Sequence, residues 1–205
     1  MRNRLAGALL VLFTVGCQAP ADPGAMDVAA WRAEKDRFMR SADSPVPEDQ
    51  RANFPPLTYY AVDPGYQIPA SLNVAPSNAV LDLPTSTGQR RRMRKIGELT
   101  FTLKGEALAL SAFVDAGTND VRRLFVPFGD LTNGSETYPG GRYLDLDRTA
   151  TGIYDLDFNR AYHPFCVFNA NYDCPYPPRE NRLKVPIRAG ERYPPDRPGT
   201  PPPSR

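Results

Sequence analysis

The residues best suited to chemistry are concentrated between Tyr138 and Glu191. This block holds the one histidine of the chain, His163, and two of its three cysteines, Cys166 and Cys174. Most zinc, Cys-His and Ser-His-Asp sites need histidine beside further ligands or partners, and the spacing here matches no common zinc motif. We therefore predict no metal site, and the sequence leaves the cofactor open.

Two carboxylates in the block have a spacing that suits acid–base chemistry. The segment 154–158 alternates apolar and acidic residues, so on a strand Asp155 and Asp157 would lie on one face, about 6.6 Å apart. Such a pair can share a cation or divide the roles of general acid and base, although a solvent-facing pair has the same pattern. As an enzyme, the protein would be a hydrolase or a redox protein with Asp157, Glu180 and Cys166 as candidate catalytic residues.

The same block is rich in aromatic and amide side chains and poor in titratable ones, which is typical of a small-molecule pocket. A planar guanidinium also binds carboxylates through two parallel hydrogen bonds, as Arg142 would bind Asp130 or Glu180. The predicted ligand-binding residues are Asp130, Arg142, Tyr143, Asn159, Tyr162 and Asn181. A small-ligand-binding domain is therefore the first hypothesis, an enzyme the second and a structural envelope protein the third.

The N-terminus has the pattern of a secretory signal. Arg2 and Arg4 precede an uncharged run of 11 residues at 5–15. A membrane-spanning helix needs roughly 20 residues, whereas a signal needs about 7 to 15. Thr14-Val15-Gly16-Cys17 resembles the bacterial lipobox, which implies a lipid on Cys17, and Gln18 favours the outer membrane. We expect a cell-envelope protein on the periplasmic face of that membrane.

Cleavage after residue 16 changes the charge balance. The full chain has 25 Lys and Arg against 23 Asp and Glu, a formal charge of +2. Loss of Arg2 and Arg4 makes the two counts equal. A neutral mature chain gives no reason to expect nucleic acid as a partner. The expected partners are the membrane, through the lipid on Cys17, and a small molecule, and the oligomeric state stays open.

Lipidation of Cys17 leaves Cys166 and Cys174 in a compartment where disulfides persist. A bridge between them would close a ring of nine residues, and the loss of chain entropy predicts about 2.6 kcal/mol of stabilisation. A disulfide is the favoured interpretation of this pair, with a reactive thiol at Cys166 as the alternative.

Short alternating runs after residue 57 indicate antiparallel β structure. One long helix is predicted from Asp27 to about Arg40. Lys104-Gly105-Glu106 indicates a hairpin turn between two strands. The predicted strands are 66–74, 80–84, 96–103, 107–114, 121–128, 142–146, 152–158, 165–168 and 182–188. The basic run Arg90–Lys95 is expected to be a solvated loop or a charged edge that precedes a strand.

These elements predict a mainly β fold, an antiparallel barrel or sandwich with one N-terminal helix packed on it. The domain limits follow from composition. A signal segment occupies 1–16, a lipidated tether 17–26 and a single β-rich domain 27–193. The tail 194–205 is rich in proline, and we expect it to be disordered.

Several ordered motifs of the chain resemble one bacterial and archaeal family, domain of unknown function family 1684. The motifs are Leu124–Thr132, Glu136–Tyr138, Gly141–Asp145, Asp157–Tyr162, Cys166, Cys174–Pro175, Pro177–Pro178 and Glu180–Arg182. The resemblance covers roughly residues 31–192 and implies no agreed activity. Family members without a signal segment keep the cysteine positions, which argues against a purely disulfide role.

Overall fold

The protein is mainly β, with a nearly closed, barrel-shaped antiparallel sheet and a helix at its N-terminal side. The computed structural model describes residues 23–77 and 79–193. The predicted signal segment, Cys17 and the tail 194–205 lie outside the described residues. Among those described, no helix has both the length and the hydrophobicity needed to cross a bilayer.

Seven described strands form one sheet in the order β6-β5-β4-β3-β1-β7, and β2 pairs with β3 beside this path. Every pairing is antiparallel. The two ends of the order approach each other, because β6 forms an isolated bridge from Tyr143 to Tyr162 in the segment that follows β7. The strands are β1 Gln67–Val74, β2 Val80–Pro84, β3 Arg90–Leu103, β4 Glu106–Asp115, β5 Arg123–Phe128, β6 Arg142–Asp147 and β7 Ile153–Asp157.

The predicted hairpin between β3 and β4 is confirmed, and its turn follows from local chemistry. Leu99 and Leu103 are buried in the core, whereas Thr100 between them is exposed, as the alternating pattern predicts. Lys104 and Gly105 have φ angles of 49° and 90°. Two consecutive positive φ values define the tight turn whose twist matches that of paired strands.

The basic run is part of a strand, which corrects the prediction of a loop or an edge. β3 begins at Arg90 and pairs with β2 on one side and with β4 on the other. Acidic residues on both neighbours explain this placement, because Arg91 contacts Asp115 at 3.1 Å and Arg92 lies 3.9 Å from Asp82. Charges of opposite sign on adjacent strands favour pairing that a run of arginines alone would oppose.

The helix α1 spans Pro23–Phe38, so it begins four residues before the predicted cap at Asp27. A proline suits the first turn of a helix, where its missing N–H has no partner to lose. Asp27 therefore lies inside the helix and pairs with Arg160. The helix packs on the 3₁₀ turn Phe158–Arg160, Val28 is buried, and the rings of Trp31 and Tyr59 meet edge to face. A second helix, α2 Glu48–Arg51, is a single turn.

Two predicted strands are wrong. Residues 165–168 contain a 3₁₀ turn, Phe165–Val167, which follows Pro164. Residues 182–188 form an irregular segment with one isolated bridge at Arg182 and no ladder, and Pro186 lacks the N–H that a ladder needs. Isolated backbone hydrogen bonds at Gly129 and Leu131 hold this segment beside β5. Its remaining anchors are the side chains described below.

Candidate functional site

A cavity of about 370 Å³ lies on the outer surface of the barrel, between strands β4 to β6 and the segment 162–175. The register of β5 and β6 produces it. Phe125 lies opposite Asp145, so these residues and Tyr143 share one face of the sheet. The other face carries Leu124 and Leu144, which are buried in the core. We call this space the aromatic cavity, after its rings Phe125, Tyr143, Tyr162, Phe165 and Tyr172.

The rings of the aromatic cavity are fixed by contacts to one another and by hydrogen bonds. Phe125 and Tyr143 meet edge to face with centroids 4.6 Å apart, and Tyr143 and Tyr162 do so at 5.8 Å. Tyr143 Oη donates to the carbonyl of Pro175 at 2.6 Å, and Tyr162 Oη donates to Asp145 Oδ2 at 2.8 Å. Burial raises the pKa of both phenols well above its usual range, so both remain donors.

Four carboxylates and two guanidinium groups line the aromatic cavity, namely Asp115, Asp120, Asp145, Asp173, Arg91 and Arg123. Arg91 binds Asp115 through Nε and Nη2, at 3.2 and 3.1 Å. Arg123 lies 3.6 Å from Asp145. Outside the cavity, Arg122 pairs with Asp120 at 2.6 Å. The cationic groups are therefore already matched by acids of the protein.

Asp173 is the exception among these acids. Its carboxylate accepts a hydrogen bond from Thr87 Oγ1 at 2.5 Å, and no Lys or Arg nitrogen of the described residues lies within 4.0 Å of it. Hydrogen bonds from the Thr85 and Thr87 hydroxyls lower the pKa of Asp173 below its ordinary value. A carboxylate without an ion pair among the described residues thus lines the cavity, as the Tyr172 ring also does.

Two predicted ligand-binding residues, Asp130 and Arg142, form a fully buried ion pair with an Nη2 to Oδ2 distance of 2.9 Å. Arg142 also donates to the carbonyls of Ile187, Ala189 and Glu191, at 2.7, 2.5 and 3.0 Å. Asp130 Oδ1 accepts from the backbone N–H of Ile187 at 3.1 Å. The predicted contact of Arg142 with Asp130 is therefore present, through one hydrogen bond and not two, and it holds the C-terminal segment against the barrel.

The predicted residues Asn159 and Asn181 also bond to backbone. Asn159 exchanges two hydrogen bonds of 3.0 Å with the N–H and carbonyl of Asp63. Asn181 accepts from the N–H of Ser111 at 2.7 Å and donates to the carbonyls of Ser111 and Pro127, at 2.8 and 2.7 Å. The ladder between β4 and β5 is short, so Asn181 supplies hydrogen bonds that the ladder leaves unmade.

The candidate catalytic acids Asp157 and Glu180 contact different parts of the protein. Asp157 is 5% exposed and accepts from the Asn159 backbone at 2.9 Å and from Arg160 Nε at 3.3 Å. Its predicted neighbour Asp155 is exposed and accepts from Gln67 at 2.7 Å. Glu180 is exposed on a 3₁₀ turn that packs on β4. No hydrogen bond or ion pair of the described residues joins Asp157 to Glu180. Of the eight polar and aromatic candidates, Tyr143 and Tyr162 line the aromatic cavity.

The two cysteines are free thiols, so the predicted disulfide is not formed. Cys174 Sγ instead accepts a hydrogen bond from the backbone N–H of Cys166 at 3.2 Å, and Cys166 Sγ lies 3.9 Å from Tyr138 Oη. The pKa of Cys166 is lowered to about 7, mainly by its hydrogen bond with Cys174 and further by hydrogen bonds with Ser86 and Tyr138. The same contact and burial raise the pKa of Cys174, which lines the aromatic cavity.

We expect iodoacetamide to alkylate Cys166 before Cys174 near neutral pH, because the thiolate is the reactive form. Peptide mapping by mass spectrometry after short exposures to the reagent will give the order. Cys174→Ala removes the main hydrogen bond to the Cys166 thiolate, so the pKa of Cys166 should rise toward 9.0 and its alkylation should slow. Earlier modification of Cys174, or an unchanged rate in the variant, would contradict this assignment.

A buried charge cluster behind the aromatic cavity has no signal in the sequence. Lys35 Nζ lies 2.6 Å from Glu191 Oε1 and 4.1 Å from the centroid of the Tyr162 ring. Glu191 Oε2 accepts from the backbone N–H of His163 at 2.7 Å. The His163 ring accepts from the N–H of Tyr138 at 3.3 Å, so the histidine is part of the packing here. Lys35 comes from α1, Glu191 from the C-terminal segment and His163 from the segment after β7, and only the fold brings them together.

Within the described residues, no group of three or more His, Cys, Asp and Glu side chains is arranged to hold a metal ion. The model of the family described as "Protein of unknown function (DUF1684)" matches residues 52–192. The chain belongs to this family. The DUF1684 match begins after α1, so the helix that supplies Lys35 lies outside it.

The DUF1684 chain is also similar to a solved structure from Haloarcula marismortui, the solution NMR structure of an uncharacterized protein. The two are 39% identical, with a TM-score of 0.65 over 82% of this chain and 93% of that one. The likeness supports the barrel fold and brings no activity with it. No curated protein matches the chain.

Proposed function

We propose that this DUF1684 protein is a lipid-anchored protein of the cell envelope that binds a small molecule in the aromatic cavity. The observation that carries the proposal is the set of five rings around a space of about 370 Å³. Small-molecule pockets are clefts of about 300–1,000 Å³, lined by apolar and aromatic groups with a few polar ones. Size and lining both fall within that description.

The rigidity of the lining supports binding. Tyr143 and Tyr162 are held by hydrogen bonds to Pro175 and Asp145, and each ring packs against a neighbouring ring. A pocket whose walls are already ordered loses little side-chain entropy when a ligand enters. Most of the contact energy of a ligand is then available as affinity.

Binding is favoured over the enzyme hypothesis by the state of the candidate acids. Asp157 is occupied by Asn159 and Arg160, and Glu180 is exposed on a different element. A general acid or base must lie within hydrogen-bond reach of the proton that it transfers, and neither Asp157 nor Glu180 lines the aromatic cavity. The aromatic cavity offers aromatic surface and fixed polar groups, which are the requirements of recognition.

The binding proposal is tested with the full-length protein, extracted in detergent and incubated with a small-molecule extract of its host cells. Native mass spectrometry should detect a retained compound. Thr118→Trp places a large side chain at the cavity wall and should weaken retention by about tenfold or more, because the indole takes up space that the ligand needs. Thr102→Trp is the control, because Thr102 is exposed on β3 away from the cavity. Absence of any retained compound would refute the proposal.

The anchoring proposal rests on the basic residues and apolar run at the N-terminus and on the lipobox-like Cys17. Cys17→Ser should move the protein from the membrane fraction to the soluble fraction and remove the mass of the lipid. Gly16→Ala is a suitable control, since small residues are tolerated before a signal cleavage site. A Cys17→Ser protein that stays with the membrane would show that another segment anchors it.

A further inference from the structure

We propose that the aromatic cavity binds an organic ammonium ion, held by its rings and by the carboxylate of Asp173. This inference rests on the proposed function and specifies the class of ligand. Its first support is the lining itself. Rings attract cations through their negative faces within about 6 Å, and quaternary ammonium groups are bound in this way by sets of aromatic side chains.

The protein already uses this interaction at the same wall. The ammonium group of Lys35 lies 4.1 Å from the centroid of the Tyr162 ring and 5.4 Å from that of Trp31. Glu191 completes the arrangement at 2.6 Å from Lys35 Nζ. Rings beside one carboxylate thus hold a cation behind the cavity. Because the Lys35 ammonium group already contacts the Tyr162 ring, a ligand in the cavity would contact the other rings, among them Tyr172.

The balance of charge around the cavity points in the same direction. Arg91 and Arg123 are matched by Asp115 and Asp145, and Asp173 has no ion pair within 4.0 Å among the described residues, although Arg91 attracts it at longer range. An anionic ligand would have to displace carboxylates from the two arginines and approach Asp173, which like charge opposes. A cation would gain attraction from Asp173 and would break no ion pair.

Tyr172 supplies a ring to the same cavity that Asp173 lines. Tyr172 precedes Asp173 in the chain, and its ring packs edge to face on Phe165 with centroids 5.4 Å apart. Its backbone N–H donates to the carbonyl of Asn169 at 3.1 Å, which fixes the turn that presents both side chains. Tyr172 and Asp173 are therefore the residues whose substitution tests the inference.

The test uses choline and its neutral isostere 3,3-dimethylbutan-1-ol, which have nearly the same shape and differ in charge. Isothermal titration of the full-length protein in detergent should give about five- to thirtyfold tighter binding for choline, because cation–π contact and an ion pair are worth about 1–2 kcal/mol. Vesicles of phosphatidylcholine and phosphatidylglycerol form a second arm. Binding of free choline indicates a soluble ligand, and binding only to phosphatidylcholine indicates a lipid headgroup.

Three variants distinguish the contribution of the Asp173 charge to choline binding from that of the Tyr172 ring. Asp173→Asn and Tyr172→Leu should each weaken choline binding by about tenfold, whereas Tyr172→Phe keeps the ring and should bind as the parent does. Asp155→Asn is the matched control, since Asp155 is an exposed carboxylate outside the cavity. Circular dichroism will check that all four variants are folded.

The outcomes distinguish this inference from the binding function itself. If the alcohol binds as tightly as choline, or if the compound retained from the cell extract is neutral or anionic, the ammonium inference is overturned and the binding function stands. If the protein retains no compound and binds neither probe, both fail. Tighter binding of choline that Asp173→Asn abolishes would establish the inference.

Discussion

Arg142→Met will lower the free energy of unfolding by about 3–5 kcal/mol, the range measured when one partner of a buried ion pair is removed. Asp130 would be left without its ion-pair partner in a position where its side chain has no solvent contact. The carbonyls of Ile187, Ala189 and Glu191 would lose their side-chain donor as well. Since folded domains are stable by about 5–15 kcal/mol, a loss of this size brings the protein close to unfolding.

Urea titration followed by fluorescence of the one tryptophan, Trp31, will measure the change. Arg122→Met is the matched control, because Arg122 pairs with Asp120 at 2.6 Å but is 90% exposed, and it should show no measurable change. Asp130→Asn combined with Arg142→Met should be less destabilised than the sum of the single variants, since no buried charge remains. A loss in Arg142→Met no larger than in the control would mean that the buried pair is not the anchor of the C-terminal segment.

The strands could largely be predicted from the sequence, because their signal is local. Leu99 and Leu103 alternate with exposed threonines, and the turn at Lys104 and Gly105 is specified by two residues. The first half of β3 could not be predicted. Its arginines are typical of a loop when the sequence is considered alone. They are compatible with a strand because β2 and β4 place Asp82 and Asp115 beside them, and the pairing of these distant segments is not visible in the sequence.

The candidate site divides in the same way. Tyr143 and Tyr162 were among the predicted residues because aromatic residues are dense in their part of the chain, and both line the aromatic cavity. Phe125, Tyr172 and Asp173 were not among the predicted site residues, since the register of β5 and β6 and the path of a loop determine their positions. The spacing of residues along the sequence shows neither the register of the strands nor the path of the loop.

Arg142 and Asn181 show the opposite difficulty. A polar side chain in a mainly apolar domain has the same appearance in a sequence whether it binds a ligand or the backbone. What distinguishes the two is whether its hydrogen bonds are satisfied inside the protein, and this depends on segments 12 to 70 residues away. A buried network and a binding site can be separated only when those partners are known.

Glu191→Gln is the second substitution with a large expected effect, a loss of about 3 kcal/mol near neutral pH. The change keeps the shape of the side chain and removes the charge that compensates Lys35, whose side chain is 12% exposed. Glu136→Gln is the control, because its partner Arg188 is exposed and water can replace the lost contact. An equal loss in the two variants would contradict a special role for the buried pair.

The pH dependence supplies a sharper test of the same pair. Burial lowers the pKa of Lys35 below 10.5 although Glu191 attracts the ammonium group. The folded protein therefore releases this proton at a lower pH than the unfolded chain does, and between the two pKa values the unfolded chain binds more protons. Stability attributable to Lys35 must then rise as pH increases through the window below 10.5. In Glu191→Gln the attraction is lost, so the pKa of Lys35 falls further and the window begins at a lower pH.

The deficit of Glu191→Gln relative to the parent should consequently shrink between about pH 7 and pH 10, because neutral Lys35 needs no carboxylate partner. Urea titrations at both pH values will measure it, and adding Lys35→Met should abolish the dependence in this window. A deficit that is constant over this range would mean that Lys35 stays protonated and solvated in the variant. Because Lys35 also contacts the Tyr162 ring, whose hydroxyl binds Asp145, the same substitution should disturb the wall of the aromatic cavity and weaken choline binding along with the fold.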